Sequence, residues 1–206
     1  ALEARDIYLR AMLVTTKKTG HRSAAELELP SRHFKGGILK YQMVRSDVVN
    51  VLRGPHLAAV TTMIDYYRLP LDFPGQAELK GLHTCYDRVG RLEHAFQADI
   101  NNSRFRPFLV LHEFEALLFA DPPKIATAIQ GQRSIGDRLE AVRNQFKSPE
   151  EINDGVDTHP AARILAQAKG YKKALHGPII ASRIGLETIR RECPLFGQWL
   201  MWLESL

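Results

Sequence analysis

The stretch Leu57-Ala58-Ala59-Val60-Thr61-Thr62-Met63-Ile64 decides the fold. It is a continuous apolar run and reads as the clearest strand of the chain. An apolar run without alternation implies burial on both faces, as in a parallel sheet. The run leads directly into Asp65, so a carboxylate stands at its end.

Downstream, Pro70, Pro74 and Gly75 mark a turn region, and residues 83–100 read as a helix. Residues 105–111 (Phe-Arg-Pro-Phe-Leu-Val-Leu) form another strand, closed by His112-Glu113-Phe114-Glu115. Upstream, residues 38–53 read as a helix with Ile38, Tyr41, Val44 and Val48 on one stripe, ended by Gly54-Pro55. Before it lies a basic, polar loop over residues 17–37, and before that a strand over residues 7–16. Strand, helix, strand, helix, strand is the order of a parallel α/β sheet. Its crossovers are right-handed, so the strands end at one edge, where open α/β sheets place their sites.

After residue 120 the pattern turns helical. Asp121 stands before Pro122-Pro123 as a helix start. Ser148-Pro149-Glu150-Glu151 has capping-box spacing. His176-Gly177-Pro178 opens another helix, and Pro194 opens the last, with Leu195, Phe196, Trp199, Leu200, Leu203 and Leu206 on one broad face. The expectation is one α/β domain over residues 1–206, a sheet core over 1–120 with a helical C-terminal half over 121–206 packed on it.

The 206 residues are 45% hydrophobic and 25% charged, which excludes dominant disorder. No uncharged apolar run approaches the ~20 residues of a membrane helix. Two cysteines, Cys85 and Cys193, are too few for a disulfide scaffold, and the N-terminal residues lack a signal-peptide core; the chain reads as cytoplasmic. The net charge of +5 is uneven. Residues 1–45 hold Arg5, Arg10, Lys17, Lys18, Arg22, Arg32, Lys35, Lys40 and Arg45 against Glu3, Asp6, Glu26 and Glu28. A one-ended positive field suits a polyanion such as nucleic acid, though a solvated surface has the same composition.

Asp65 and the pair Glu113 and Glu115 sit at corresponding strand ends. If those strands are neighbours, three carboxylates converge. Clustered carboxylates repel unless a cation is present, and hard oxygen ligands suit Mg²⁺ or Mn²⁺. Such a site polarises a phosphoryl oxygen and activates water. The plainer alternative has Asp65 capping the next turn and one glutamate paired with an arginine. At a strand-to-helix junction the two glutamates diverge, so one of them reaches the crevice. His112 orients a carboxylate, carries a proton, or is structural. A zinc-protease reading fails because position 116 is Ala116, and the eight histidines show no metal spacing. Gly36-Gly37, flanked by Lys35 and Lys40, is a phosphate-approaching loop or a plain turn. Cys85, beside His83, reads as a buried small hydrophobe rather than a nucleophile. Glu151, Asn153, Asp154 and Asp157 form a substrate-facing polar loop or helix punctuation.

Thr61 through Pro70, His112 through Phe119 and Pro149 through Gly155 resemble blocks of a bacterial family of unknown function, numbered 4276. So do His176-Gly177-Pro178 and the closing Cys193-Pro194 to Trp199 with Leu203-Glu204. The resemblance implies a Toprim-like α/β core, which elsewhere cuts, rejoins or primes nucleic acid with acidic residues and Mg²⁺. It also implies company with ATPases in bacterial defence loci. The chain departs from that pattern. A Glu-Gly-x-Thr-Glu stretch is absent, as if the chain begins at the second strand. Asp65 is followed by Tyr66-Tyr67 rather than completing Asp-x-Asp, and Ala161-Ala162-Arg163 replaces a Ser-Lys-Arg-like stretch.

Two expectations follow. The first is a Mg²⁺-dependent nuclease with Asp65, Glu113 and Glu115 as metal ligands and His112 beside them. Lys17, Lys18, Arg22, Lys35 and Lys40 would meet nucleic acid, and Arg163 and Lys172 would serve as transition-state cations. The second is a non-catalytic adaptor or binding subunit partnering an ATPase through the helical half. A phosphoesterase for a small molecule uses the same metal cluster.

Overall fold

The structure, a computed structural model, describes residues 7–14, 38, 40–129, 133–153 and 155–206. The chain is mixed α/β with a helical C-terminal half. In order, the elements are α1 (Tyr41–Leu52), β1 (Val60–Thr61), β2 (Ile64–Asp65), α2 (Cys85–Ile100), β3 (Phe105–Arg106) and β4 (Leu109–Val110). They continue with α3 (Glu115–Leu118), α4 (Pro122–Ala128), α5 (Arg133–Arg143), α6 (Pro160–Gln167), α7 (Lys173–Ile184), α8 (Leu186–Glu192) and α9 (Pro194–Leu203).

The parallel pairing expected of the two apolar runs is present. β1 pairs with β3 and β2 with β4, both parallel. Val60 stands opposite Phe105 and Ile64 opposite Leu109, so one register runs through both ladders. The break between them falls at Thr62 and Pro107, which the register sets opposite each other between the two ladders. There the buried Thr62 hydroxyl takes over, accepting from Phe108 N–H at 3.1 Å and facing Phe108 C=O at 3.2 Å. The strands are therefore shorter than residues 57–64 and 105–111 promised.

Burial on both faces holds for the second run more than for the first. Phe108, Leu109, Val110 and Leu111 are all buried. Side chains alternate across a strand, and here they divide the molecule into two cores. Leu109 and Leu111 join α1, α2 and Phe73 in one. Phe108 and Val110 join Ile164, Ile180, Ile189, Phe196 and Leu200 of the helical half in the other. In the first run Val60 and Ile64 are buried, but Met63 is 45% exposed.

α2 starts at Thr84, whose hydroxyl accepts from Asp87 N–H, and ends at Asn101 in the left-handed region. Its Val89, Leu92, Phe96 and Ile100 recur at helical spacing and are buried. α9 packs on the strands as expected. Trp199 stacks on Phe108 at 4.7 Å, and its indole N–H donates to Thr61 at 3.0 Å. Leu206 of the expected face is exposed.

Three local expectations are corrected. Residues 7–14, the described part of the strand expected over 7–16, form no strand, and Tyr8, Leu9, Met12 and Leu13 are exposed; among the described residues no strand pairs with them. The helix expected to open at His176-Gly177-Pro178 opens at Lys173 instead, and Pro178 lies inside it. Pro178 is the sixth residue of the helix, past its free first turn, so the helix forgoes the N–H that would reach the Ala174 carbonyl. Asp121 precedes Pro122-Pro123 as expected, but its side chain caps no N–H and pairs with Lys124 at 3.1 Å.

Candidate active site

The site is built where β2 and β4 end. Asp65 is the last residue of β2, opposite Val110. The chain leaving β4 turns at His112, whose φ of 63° lies in the left-handed region. This turn sets Glu113 behind the strand and makes Glu115 the first residue of α3. The Asp65 carboxylate spans the gap by accepting from Phe114 N–H at 2.9 Å. Tyr67 N–H donates to His112 C=O at 2.6 Å, which ties the two strand ends together again.

Glu113 and Glu115 are both buried, at 2% and 3% exposure. Glu113 Oε1 accepts from Ala161 N–H at 2.5 Å, in the first turn of α6. Glu115 Oε1 accepts from the Tyr171 hydroxyl at 3.1 Å. Their remaining oxygens share one cation, with Lys173 Nζ at 2.6 Å from Glu113 Oε2 and 3.3 Å from Glu115 Oε2. The expectation that one glutamate reaches the crevice is thus replaced by both meeting at one point. The charge partner is a lysine rather than an arginine.

Asp65 belongs to the same electrostatic cluster. It opens to solvent at its rim, with protein on its other sides. Loss of surrounding water raises its pKa to about 6; the Phe114 N–H opposes this, and the charges of Glu115 and Glu113 add to it. Burial raises Glu115, with Lys173 opposing and Glu113 adding. Burial works against the Lys173 ammonium, but the two glutamates outweigh it, and its pKa stands above the ordinary lysine value. The Tyr171 hydroxyl is raised by burial and by Glu115, so it remains a donor.

Three carboxyl groups stand against one ammonium here, and carboxylate oxygens are the hard ligands that divalent cations take. Among the described residues, no three His, Cys, Asp or Glu side chains already stand as a metal-holding group, and Lys173 occupies the space between the glutamates. The Lys173 ammonium supplies the positive charge the two buried glutamates need.

The other candidates are placed as follows. His112 is buried at 2% exposure, its ring 6.1 Å from that of Tyr66, and its backbone makes the turn into Glu113. The Arg163 guanidinium donates to Thr158 C=O at 2.6 Å and to Asn153 at 3.3 Å, and it lies over the Phe146 ring. It is thereby engaged within the fold. Lys172 is exposed beside Lys173, and its N–H donates to His176 Nδ1 at 2.8 Å. Lys40 is exposed at the start of α1. Lys17, Lys18, Arg22, Lys35 and Gly36-Gly37 lie outside the described residues, as does Asp154. Glu151 accepts from Lys147 N–H, so it serves the turn before the last helices. Sequence reasoning missed Lys173 and Tyr171. Their signal was the run Tyr171-Lys172-Lys173 beside a helix start, and nothing in that run announces a partner 60 residues away.

The model of the domain of unknown function DUF4276 matches residues 1–204, and the chain belongs to this family. No curated protein and no solved structure matches it.

Proposed function

We propose that this family member hydrolyses phosphodiester bonds of nucleic acid at the cluster of Asp65, Glu113 and Glu115, with Lys173 as its built-in cation. The observation that carries this reading is the meeting of Glu113 and Glu115 at Lys173 just beyond β4, with Asp65 at the end of the paired β2 within reach of their charges. The resemblance to Toprim-like nucleic-acid enzymes and the basic first 45 residues support it.

Asp65, Glu113 and Glu115 would hold a divalent ion, which when bound supplies charge neutralisation at a phosphoryl oxygen and an acidified water. The chain's own residues do the rest. Ala161 N–H and the Tyr171 hydroxyl fix the two glutamates, leaving one oxygen of each toward Lys173. Phe114 N–H fixes Asp65. The Lys173 side chain, half exposed, is long enough to turn from the glutamates toward an incoming phosphate and to neutralise developing charge there. The test is cleavage of plasmid DNA, of single-stranded DNA and of labelled RNA in Mg²⁺ or Mn²⁺ against the same reaction in EDTA. Cleavage confined to the metal-containing lanes supports the reading; no cleavage of any of the three polymers overturns it.

A second reading, a non-catalytic subunit docking an ATPase, draws on an apolar groove of about 400 Å³ beside the site, lined by Met63, Phe114, Leu186 and Phe196 among others. Co-purification with a neighbouring gene product, without cleavage, favours it.

A further inference from the structure

Two residues beyond Asp65, the Tyr67 ring lies flat on the His159 imidazole, with centroids 4.8 Å apart and planes 18° apart. Arg68 holds its guanidinium 5.0 Å from the same ring, on backbone with a φ of 61°. Both rings are half-buried, and Arg68 is exposed. The stack is anchored to the carboxylates from both sides. Tyr67 N–H is bonded to the His112 carbonyl, next to Glu113. His159 stands two residues before Ala161, whose N–H holds Glu113 itself. Two residues span at most about 7 Å of chain, so the rings and the acidic cluster form one neighbourhood.

Neither core contains this stack. Each ring covers one face of the other and the exposed Arg68 guanidinium lies over Tyr67, so an incoming base would take the place of that guanidinium on the stack, and the displaced arginine would turn to the base's phosphate. Bases inside a duplex are already stacked and offer no free face. We propose that Tyr67, His159 and Arg68 form a stacking subsite for an unpaired base, which makes single-stranded nucleic acid the substrate of the hydrolytic site. The proposal rests on the hydrolytic reading for its last clause only; the subsite stands on the stack.

The experiment separates the two. Fluorescence anisotropy in EDTA and at fixed salt measures binding of a labelled single-stranded oligonucleotide and of its matched duplex. The subsite predicts that the full chain prefers the single strand, that Tyr67→Ala weakens this binding roughly tenfold or more while duplex binding is unchanged, and that Tyr67→Phe retains it. A 2-aminopurine base in the oligonucleotide is quenched on binding if it stacks, a readout that needs no variant to fold. Preference for duplex, an unquenched base, or single-strand binding by a folded Tyr67→Ala equal to the parent overturns the subsite, whether or not the protein cleaves. Quenching and single-strand preference with no cleavage in Mg²⁺ leave the subsite standing and remove the hydrolytic reading.

Discussion

Lys173 Nζ stands 2.6 Å from Glu113 Oε2, joining the start of α7 to a carboxylate that is otherwise sealed inside the protein. The same ammonium serves Glu115, so one exposed-ended side chain satisfies two buried acids. Burying a carboxylate costs free energy unless it is paired or hydrogen-bonded. Replacing Lys173 by Met leaves both acids with one neutral donor each. Lys173→Met is expected to lose about 2 kcal/mol at neutral pH, measured by urea unfolding. An unchanged unfolding midpoint would show that the ammonium carries no structural weight.

A second carboxylate predicts a pH signature away from the site. Glu93 accepts from Leu109 N–H at 2.8 Å. Burial raises its pKa from 4.5 to about 7, with the Leu109 N–H and Arg106 opposing. Below pH 4.5 the folded and unfolded chains both hold the proton. As pH climbs from there to about 7 the unfolded chain ionises first, so Glu93 subtracts stability across that window and by a constant amount above it. Glu93→Gln keeps an acceptor for Leu109 without the charge. Thermal melts are therefore expected to coincide for variant and parent near pH 4.5, and to favour the variant at pH 8.

The last helix begins on a buried acid. Glu150 Oε2 accepts from Leu195 N–H and Oε1 from Phe196 N–H, each at 2.9 Å, in the first turn of α9. Free N–H groups and the positive end of the helix dipole both favour a carboxylate there. Glu150→Ala is expected to lose about 2–3 kcal/mol in equilibrium unfolding, with Glu150→Gln losing less because it retains one acceptor.

The Thr62 hydroxyl takes the Phe108 N–H that a continuous parallel ladder would give to the Thr62 carbonyl. Thr62→Val has nearly the same shape but leaves Phe108 N–H and C=O without their hydroxyl partner. A loss of about 1–2 kcal/mol in urea unfolding is expected. A neutral result would mean that water reaches the strand break.

Parallel pairing was legible in two apolar runs separated by a helix, because β-branched and aromatic residues bounded by turn residues leave few alternatives. The shortness of the ladders was not, since it depends on the Thr62 hydroxyl capturing the Phe108 N–H from the other run. The position of Asp65 could be read from its place at a strand end. Glu113 and Glu115 could be found as residue types, but their shared partner could not, because it comes from a helix 60 residues later. The same holds for Tyr67 and His159, which sit on different elements and meet only in three dimensions. The expected strand over residues 7–16 shows the converse. Among the described residues no strand pairs with 7–14, and local propensity alone does not make a strand.

The proposed hydrolysis requires Asp65, Glu113 and Glu115 to act together on a phosphodiester. Its most direct test is the single-turnover cleavage rate of an end-labelled single-stranded oligonucleotide in Mg²⁺ or Mn²⁺, for the parent chain and for Asp65→Asn. Asn at 65 keeps an oxygen for Phe114 N–H, so the fold is expected to hold, as a melting curve will show. The account predicts a rate lower by roughly a hundredfold or more, in line with losing a group that acts in the transition state. Cleavage by folded Asp65→Asn at the parent's rate contradicts it.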